Sequence, residues 1–135
     1  MACLFCSIVT GDQPAHGVLD EEHVLGFLDV RPVFKGHTLL VPKPHVDTLV
    51  ELPGELSVPL FDAVRRTADA VRGAFGAQGS FVAMNNVVSQ SVPHLHVHVV
   101  PRTKGDGLRG FFWPRTRYED GEAEDHAARL AAALA

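Results

Sequence analysis

Hydrophobic and polar positions along the chain repeat with two different periods, and the change of period marks the elements. His94-Leu95-His96-Val97-His98-Val99-Val100 alternates residue by residue, the pattern of a strand with two unlike faces. Leu60, Val64, Thr67, Ala68, Val71 and Phe75 recur every three or four positions, which predicts a helix with one apolar stripe. Arg65, Arg66, Asp69 and Arg72 fall off that stripe. Ser57 is a fitting N-cap with Pro59 in the first turn. An earlier start near Pro53 would put Pro59 at a kink, and Gly76 is the expected stop. Val18-Leu19, Val24 to Val30, Thr38 to Val41 and Ser80 to Met84 read as further strands, with the acidic turn Asp20-Glu21-Glu22 between the first two. Pro42 with Pro44, and Pro101, are expected to end the strands they follow. Cys3 to Val9 is a short apolar segment, strand or helix turn, and Gly11-Asp12-Gln13-Pro14 is turn chemistry. Asn85 to Ser91 is a polar loop, residues 102–121 are irregular, and Glu122 to Ala135 reads as a helix with acids at its start. The sum is an α+β fold: an antiparallel sheet of about five strands, one main helix and a C-terminal helix.

Composition narrows the class. The chain has 135 residues, 46% hydrophobic and 21% charged, which fits one domain, residues 1–135, and is too apolar for wholesale disorder. No apolar run approaches the ~20 residues that span a bilayer. The start of the chain reads without a secretory signal, so a cytoplasmic protein is expected, with no membrane partner. Cys3 and Cys6 are then reduced thiols or metal ligands rather than a disulfide framework. A net charge of −4 argues against binding duplex nucleic acid. The charge is uneven, however. Arg102, Lys104, Arg109, Arg115 and Arg117 stand against Asp106 alone, whereas five acids stand against Arg129 in residues 119–135. The basic stretch 102–117, with Phe111, Phe112 and Trp113, is a candidate to reach toward a small anion, a leaving group or a partner subunit.

The alternating strand carries the chemistry. His94, His96 and His98 share one face, and Leu95, Val97 and Val99 share the other. The aliphatic face should meet the core, so the imidazoles must look into something polar. Two uses suit them. His-x-His on a strand can bind zinc. Alternatively one imidazole acts as a nucleophile while its neighbours orient it and bind the substrate.

The motif His-Leu-His-Val-His-Val-Val, followed by Pro101-Arg102, resembles the histidine triad (HIT) family. The resemblance extends to Cys3-Leu4-Phe5-Cys6-Ser7-Ile8-Val9, to Phe27 through Pro32, to Gly36 through His45 and to Asn85 through Ser91, in the family's order. It covers about residues 3–102, with 103–135 a loop and C-terminal helix outside it. The resemblance implies the HIT-like fold, a homodimer, and a nucleotide hydrolase or transferase acting at the α-phosphate of a purine nucleoside derivative. It implies His96 as the nucleophile that forms a covalent nucleotidyl-imidazole, later hydrolysed to the nucleoside monophosphate. It further implies that His98 holds a phosphate oxygen, that His37 buttresses the triad, and that Gln90 and Ser91 lie near the phosphate. Asp29 matches the acceptor for the ribose hydroxyls, Asn85 an Asn near ribose and phosphate, and Leu4, Phe5, Ile8 and Val30 the apolar pocket around the base.

Relatives of bacterial type imply a second site, a structural zinc held by Cys3, Cys6, His45 and His94. Candidate substrates are phosphoramidates, adenylates and dinucleoside polyphosphates. Asp29 leans toward the first and Pro101-Arg102 toward the last. Two other readings stay open on the sequence: a metal-dependent hydrolase with the triad as zinc ligands, and a nucleotide-binding module without turnover.

Overall fold

The computed structural model of the chain describes residues 3–109 and 114–135. Five strands form one antiparallel sheet: β1 (Gly17–Asp20), β2 (Val24–Leu28), β3 (Thr38–Pro42), β4 (Gly79–Ala83) and β5 (Val97–Arg102). Their order across the sheet is β1-β2-β3-β5-β4. Three α-helices complete the described elements: α1 (Leu4–Thr10), α2 (Gly54–Phe75) and α3 (Glu122–Leu134).

Both faces of the sheet are covered, and the alternation of side chains decides which residues go where. On one face Val24, Leu40, Val97 and Val99 pack with Leu60, Ala63 and Val64 of α2. Leu95 joins this cluster from just before β5. On the other face Phe27, Leu39 and Val41 pack against Phe5 of α1. β3 lies between the two layers and is buried at every position, as a doubly covered strand must be. Gly26 on β2 has a steric reason: a Cβ there would sit 2.9 Å from Leu40 Cδ1, pushing at the central core residue.

Two details settle alternatives that the sequence left open, and two depart from the sequence reading. The segment after Cys3 is helix, capped by the Cys3 side chain, which accepts from the Cys6 N–H. α2 begins at Gly54 with Pro53 as its N-cap, because Leu56 extends the buried stripe one turn back from Leu60. Pro59 is then interior, and its missing N–H costs only a bond to the carbonyl of exposed Glu55. Ladder pairing in the histidine segment begins at Val97, not His94. The His94 N–H bonds the Val92 carbonyl and the Leu95 N–H the Val46 carbonyl, at 2.8 and 2.7 Å, so both amides are used outside the sheet. The alternation of burial survives that change, since Leu95, Val97 and Val99 are all fully buried. Finally, Pro101 lies inside β5, opposite Ser80, beyond the last pairing of β5 with β3 at Val99. A strand paired on one side tolerates proline there.

Leu60 is fully buried at the centre of the α2 layer, whereas Val58 on the same helix is 76% exposed. Leu60→Ala should therefore lower the unfolding free energy by about 2–5 kcal/mol, and Val58→Ala by less than about 0.5 kcal/mol. Urea denaturation of the two variants checks this; equal losses would contradict the assigned packing.

Candidate active site

The site is built on the sheet face that α1 covers only in part. Its chemistry follows from which ring nitrogens carry hydrogen. His96 Nδ1 lies 2.8 Å from the His94 carbonyl, which can only accept, so Nδ1 carries the proton. Nε2 is then left with its lone pair, the form in which an imidazole is a nucleophile or base. The ring is only 3% exposed, yet it lines a cleft.

His98 presents the opposite edge. The Val33 N–H donates to His37 Nδ1 at 3.1 Å, so His37 must carry its hydrogen on Nε2. That N–H meets His98 Nδ1 at 2.8 Å. His98 in turn carries its hydrogen on Nε2 and offers a donor. One backbone amide thus sets the tautomers of two side chains. Burial, reinforced by His96 and His37 nearby, pushes the His98 pKa down to about 4. Burial also lowers His37, against the pull of Asp29, whose Oδ2 lies 3.7 Å from His37 Nε2. Near pH 7 His98 is accordingly a neutral donor.

The cleft has a volume of about 380 Å³ and is mostly apolar, within the range of small-ligand sites. Leu4, Phe5 and Ile8 of α1, Phe27 and Leu39 of the sheet, and Val30 form its apolar wall. Asp29, Ser91, His96 and His98 supply its polar end. Asp29 accepts from the Arg31 N–H at 2.9 Å through Oδ1, which fixes the carboxylate at the rim.

A second group converges behind His94. Cys3, Cys6, His45 and His94 bring one donor atom each to within 4.8 Å of one another. The Sγ of Cys3 and Cys6 lie 3.4 and 3.5 Å from His94 Nδ1, and Cys6 Sγ lies 3.2 Å from His45 Nδ1. Tetrahedral zinc with bonds of about 2.3 Å to sulfur and 2.0–2.1 Å to nitrogen sets such ligand atoms about 3.5 Å apart. Both imidazoles are also in the right tautomer. His94 Nε2 donates to the Pro42 carbonyl at 2.8 Å and His45 Nε2 to Asp47 Oδ1 at 2.6 Å, which frees both Nδ1 lone pairs. Four donors with both histidines backed in this way fit a closed zinc site. Without a cation, burial and the adjacent Cys3 raise the Cys6 pKa, a cost that a divalent ion removes.

The HIT domain family pattern matches residues 10–105 of this sequence. The chain belongs to the HIT domain family. It is similar to a crystal structure of a HIT family member from Bacillus subtilis, with 40% identity and a TM-score of 0.89, covering 100% of this chain and 99% of that one. It is also similar to an adenosine 5'-monophosphoramidase of Schizosaccharomyces pombe, 34% identical over 84% of each chain. A Zn-bound histidine triad family protein from Mycobacterium smegmatis is 38% identical with a TM-score of 0.77 over 98% of each chain. The HIT fold is thus that of the sheet and helices above, and the family includes nucleotide hydrolases.

Within this HIT protein the sequence candidates separate into three places. Leu4, Phe5, Ile8, Asp29, Val30, Ser91, His96 and His98 line the cleft together. Cys3, Cys6, His45 and His94 form the metal group. The triad is not pooled around one ion: His94 faces the cysteines, and His96 spends Nδ1 on a carbonyl. Asp29, His37 and His98 do approach one another, but the two imidazoles already share a hydrogen bond.

Gln90 and Asn85 stand apart from the cleft. The Gln90 side chain donates to the Asp47 carbonyl at 2.6 Å and accepts from the Val87 N–H at 3.1 Å, so both amide atoms are used inside the fold. Asn85 donates to the Ser89 carbonyl at 3.2 Å. Arg102 is likewise committed, closing the turn after β5 through Asp106 at 2.6 Å and the Leu108 carbonyl at 2.8 Å. Phe111, Phe112 and Trp113 lie outside the described residues. Sequence reasoning missed Gln13, Pro14 and Ala15, which line the cleft mouth. Only their turn chemistry, directly after the helix that bears Leu4 and Ile8, hinted at that placement.

The buried imidazoles make stability depend on pH with a definite sign. Unfolded, His98 takes up a proton near pH 6.5; folded, only near about 4. Between those values the unfolded chain binds more protons, so stability falls as pH falls. His37 and His94 are lowered in the same direction and add to the loss. Chemical denaturation from pH 7 to 4 should show a shallower decline in His98→Asn than in the parent. Identical slopes would contradict a buried neutral His98.

Proposed function

We propose that this HIT protein hydrolyses purine nucleoside derivatives at the α-phosphate, among phosphoramidates, adenylates and dinucleoside polyphosphates, through a covalent nucleotidyl-His96 intermediate. The carrying observation is the His96 Nδ1–H bond to the His94 carbonyl, which leaves the Nε2 lone pair of this cleft-lining ring unspent. Nε2 attacks the phosphorus, and the bond to the leaving group breaks, its electron pair leaving with that group, which takes a proton from water. A second water then attacks phosphorus, the P–N bond returns its pair to Nε2, and the nucleoside monophosphate and a proton are released. His98 Nε2–H donates to a non-bridging oxygen as charge builds there, a role that suits a neutral, pre-oriented donor. His37 holds His98 in that tautomer. Asp29 accepts from the ribose hydroxyls, and Leu4, Phe5, Ile8 and Val30 face the base. Ser91 lies beside the phosphate, while Gln90 and Asn85 act on the loop that carries it.

Zinc at Cys3, Cys6, His45 and His94 is the second part of the proposal, supported by the donor geometry and by the Zn-bound relative. With no open position its contribution is structural. We also infer a homodimer in the cytoplasm. α3 buries none of its residues within its own chain, Leu130 and Leu134 being 64% and 79% exposed, and a second copy is the surface that would cover it. A reducing compartment keeps both thiols ready for metal.

Purified protein should release AMP from adenosine 5'-phosphoramidate, with His96→Ala slower by at least about 10³-fold. Quench and acid–base analysis should trap a nucleotidylated protein in the parent and not in the variant. Equal release by both proteins would refute the nucleophile. For the metal, elemental analysis should find one zinc per chain and none in Cys6→Ser. The variant's Tm should fall by about 10 °C, as loss of a site worth several kcal/mol implies. A metal-free parent with the variant's Tm would end the zinc proposal.

A further inference from the structure

The two residues between Cys3 and Cys6 are Leu4 and Phe5, and both line the cleft. One turn of chain therefore carries two thiols and part of the apolar wall. Phe5 is buried and meets the rings of His96 and Phe27 edge-on, at centroid distances of 5.0 and 5.4 Å. Among the described residues, the polar contacts from residues 3–10 to the chain beyond Gln13 run through the two sulfurs: both reach His94 Nδ1, and Cys6 also reaches His45 Nδ1. The other hydrogen bonds of that segment stay within it or end at Gly11, Asp12 and Gln13. Apart from the packing of Phe5 on Phe27, Leu39 and Val41, the sulfurs are what ties this wall of the cleft to the sheet.

The same sulfurs are placed for a second use. Both are free thiols, and neither is fully buried. Their Sγ atoms lie within 4.8 Å of each other. Cys3 is the N-cap of α1 and Cys6 its third residue. Helix geometry sets such positions about 5 Å apart at Cα, inside the range of about 4.4–6.8 Å that a disulfide spans. The chain has no third cysteine, so an internal disulfide can join only these two. Metal and disulfide exclude each other, because a metal takes the sulfurs as thiolates and a disulfide bonds them to one another.

We propose that Cys3 and Cys6 are an oxidative modification site: a hydroperoxide closes them into a disulfide, the metal is released, and the Leu4–Phe5 wall loosens so that the cleft holds nucleotide less tightly. The inference rests on the zinc and nucleotide readings of the preceding subsection. One thiolate attacks a peroxide oxygen, the O–O bond breaks with its electron pair leaving as hydroxide, and a sulfenic acid forms. The second thiolate attacks that sulfur, the S–O bond breaks, a second hydroxide leaves, and the S–S bond closes. Two electrons pass from the sulfurs to the peroxide, and the two hydroxides take up two protons as water. His45 and His94 remain as half of a four-donor set, so the chain gives up the metal and α1 loses its ties to both imidazoles. His94 keeps its Nε2–H bond to the Pro42 carbonyl, so the effect falls on binding rather than on the His96 tautomer. A dithiol reductant reverses the step by attack on the disulfide.

The test treats zinc-loaded protein with hydrogen peroxide and follows intact mass, zinc release to a chromogenic chelator, and AMP affinity by calorimetry. The mass should fall by about 2 Da as two thiols become one disulfide. One zinc should leave per chain, and the Kd for AMP should rise by at least about 10-fold. Dithiothreitol with added zinc should restore all three. In the double variant Cys3→Ser, Cys6→Ser, peroxide should leave the Kd at its starting value, which separates the cysteines from oxidation at Met84. Should that variant not fold, reversal in the parent makes the same separation, since methionine sulfoxide needs its own reductase. A gain of oxygen mass or an intermolecular disulfide in place of the internal one, zinc retained, an unchanged Kd once the disulfide has formed, or a loss that dithiothreitol does not restore would overturn the inference and leave the zinc and nucleotide readings standing. Untreated protein without zinc would end the zinc reading and the inference together. Untreated protein that does not bind AMP would do the same to the nucleotide reading.

Discussion

The site depends on one short hydrogen bond, from His96 Nδ1–H to the carbonyl two residues before it. A single bond of this kind is worth about 1 kcal/mol, enough to favour one tautomer several-fold but not to hold a ring by itself. What holds it is the backbone on which the carbonyl sits. Leu95, between the two histidines, is fully buried in the α2 core, and its N–H bonds the Val46 carbonyl. His94 is anchored on the other side through Nε2 to the Pro42 carbonyl at the end of β3. The acceptor for the His96 Nδ1–H is therefore fixed by the same packing that holds α2 on the sheet. Its precision comes from burial, which contributes more than the hydrogen bond does.

Two neighbouring imidazoles then present opposite chemistry to one cleft. His96 rests on a carbonyl and shows a lone pair; His98 rests on a donor and shows an N–H. The difference originates in backbone groups, an acceptor at His94 and a donor at Val33. Neutrality lets the arrangement stand: rings 5.0 Å apart would repel as two cations, and burial keeps His98 uncharged well below neutral pH. The same burial costs stability in acid, because the unfolded histidines are free to protonate.

The residues that were legible in the sequence are those whose pattern reports a physical constraint. The alternation at 94–100 correctly assigned Leu95, Val97 and Val99 to the core, because a period of two survives even where the ladder does not. The stripe from Leu60 to Val71 located α2, and of the two starts the sequence offered, the one near Pro53 holds, because Leu56 extends the buried stripe back past Pro59. Local pattern says nothing of hydrogen bonds that span the chain. The family resemblance puts Gln90 with Ser91 near the phosphate, and nothing local announces that its amide also reaches the carbonyl of Asp47, 43 residues earlier. Phe27 and Leu39 both pack in the core with Phe5 and line the cleft, a double role that the strand pattern does not reveal.

The loop from Asn85 to Ser91 joins these threads. Val87 and Ser89 adopt positive φ, 70° and 62°, without glycine. For a β-branched residue such as Val87 that conformation costs of order 1–3 kcal/mol, and it persists only where surrounding bonds over-determine it. Those bonds are present: Asn85 to Ser89, Gln90 to Val87, and Gln90 to the carbonyl of Asp47. Asp47 also receives His45 Nε2–H through its carboxylate, and His45 belongs to the metal group. His94 belongs to that group as well, and its carbonyl orients His96. The metal group and the cleft are thus joined twice, through His94 to His96 and through Asp47 to the loop that carries Ser91. A cation bound by the two cysteines and two histidines would stiffen both connections at once, although such a site leaves no coordination position open.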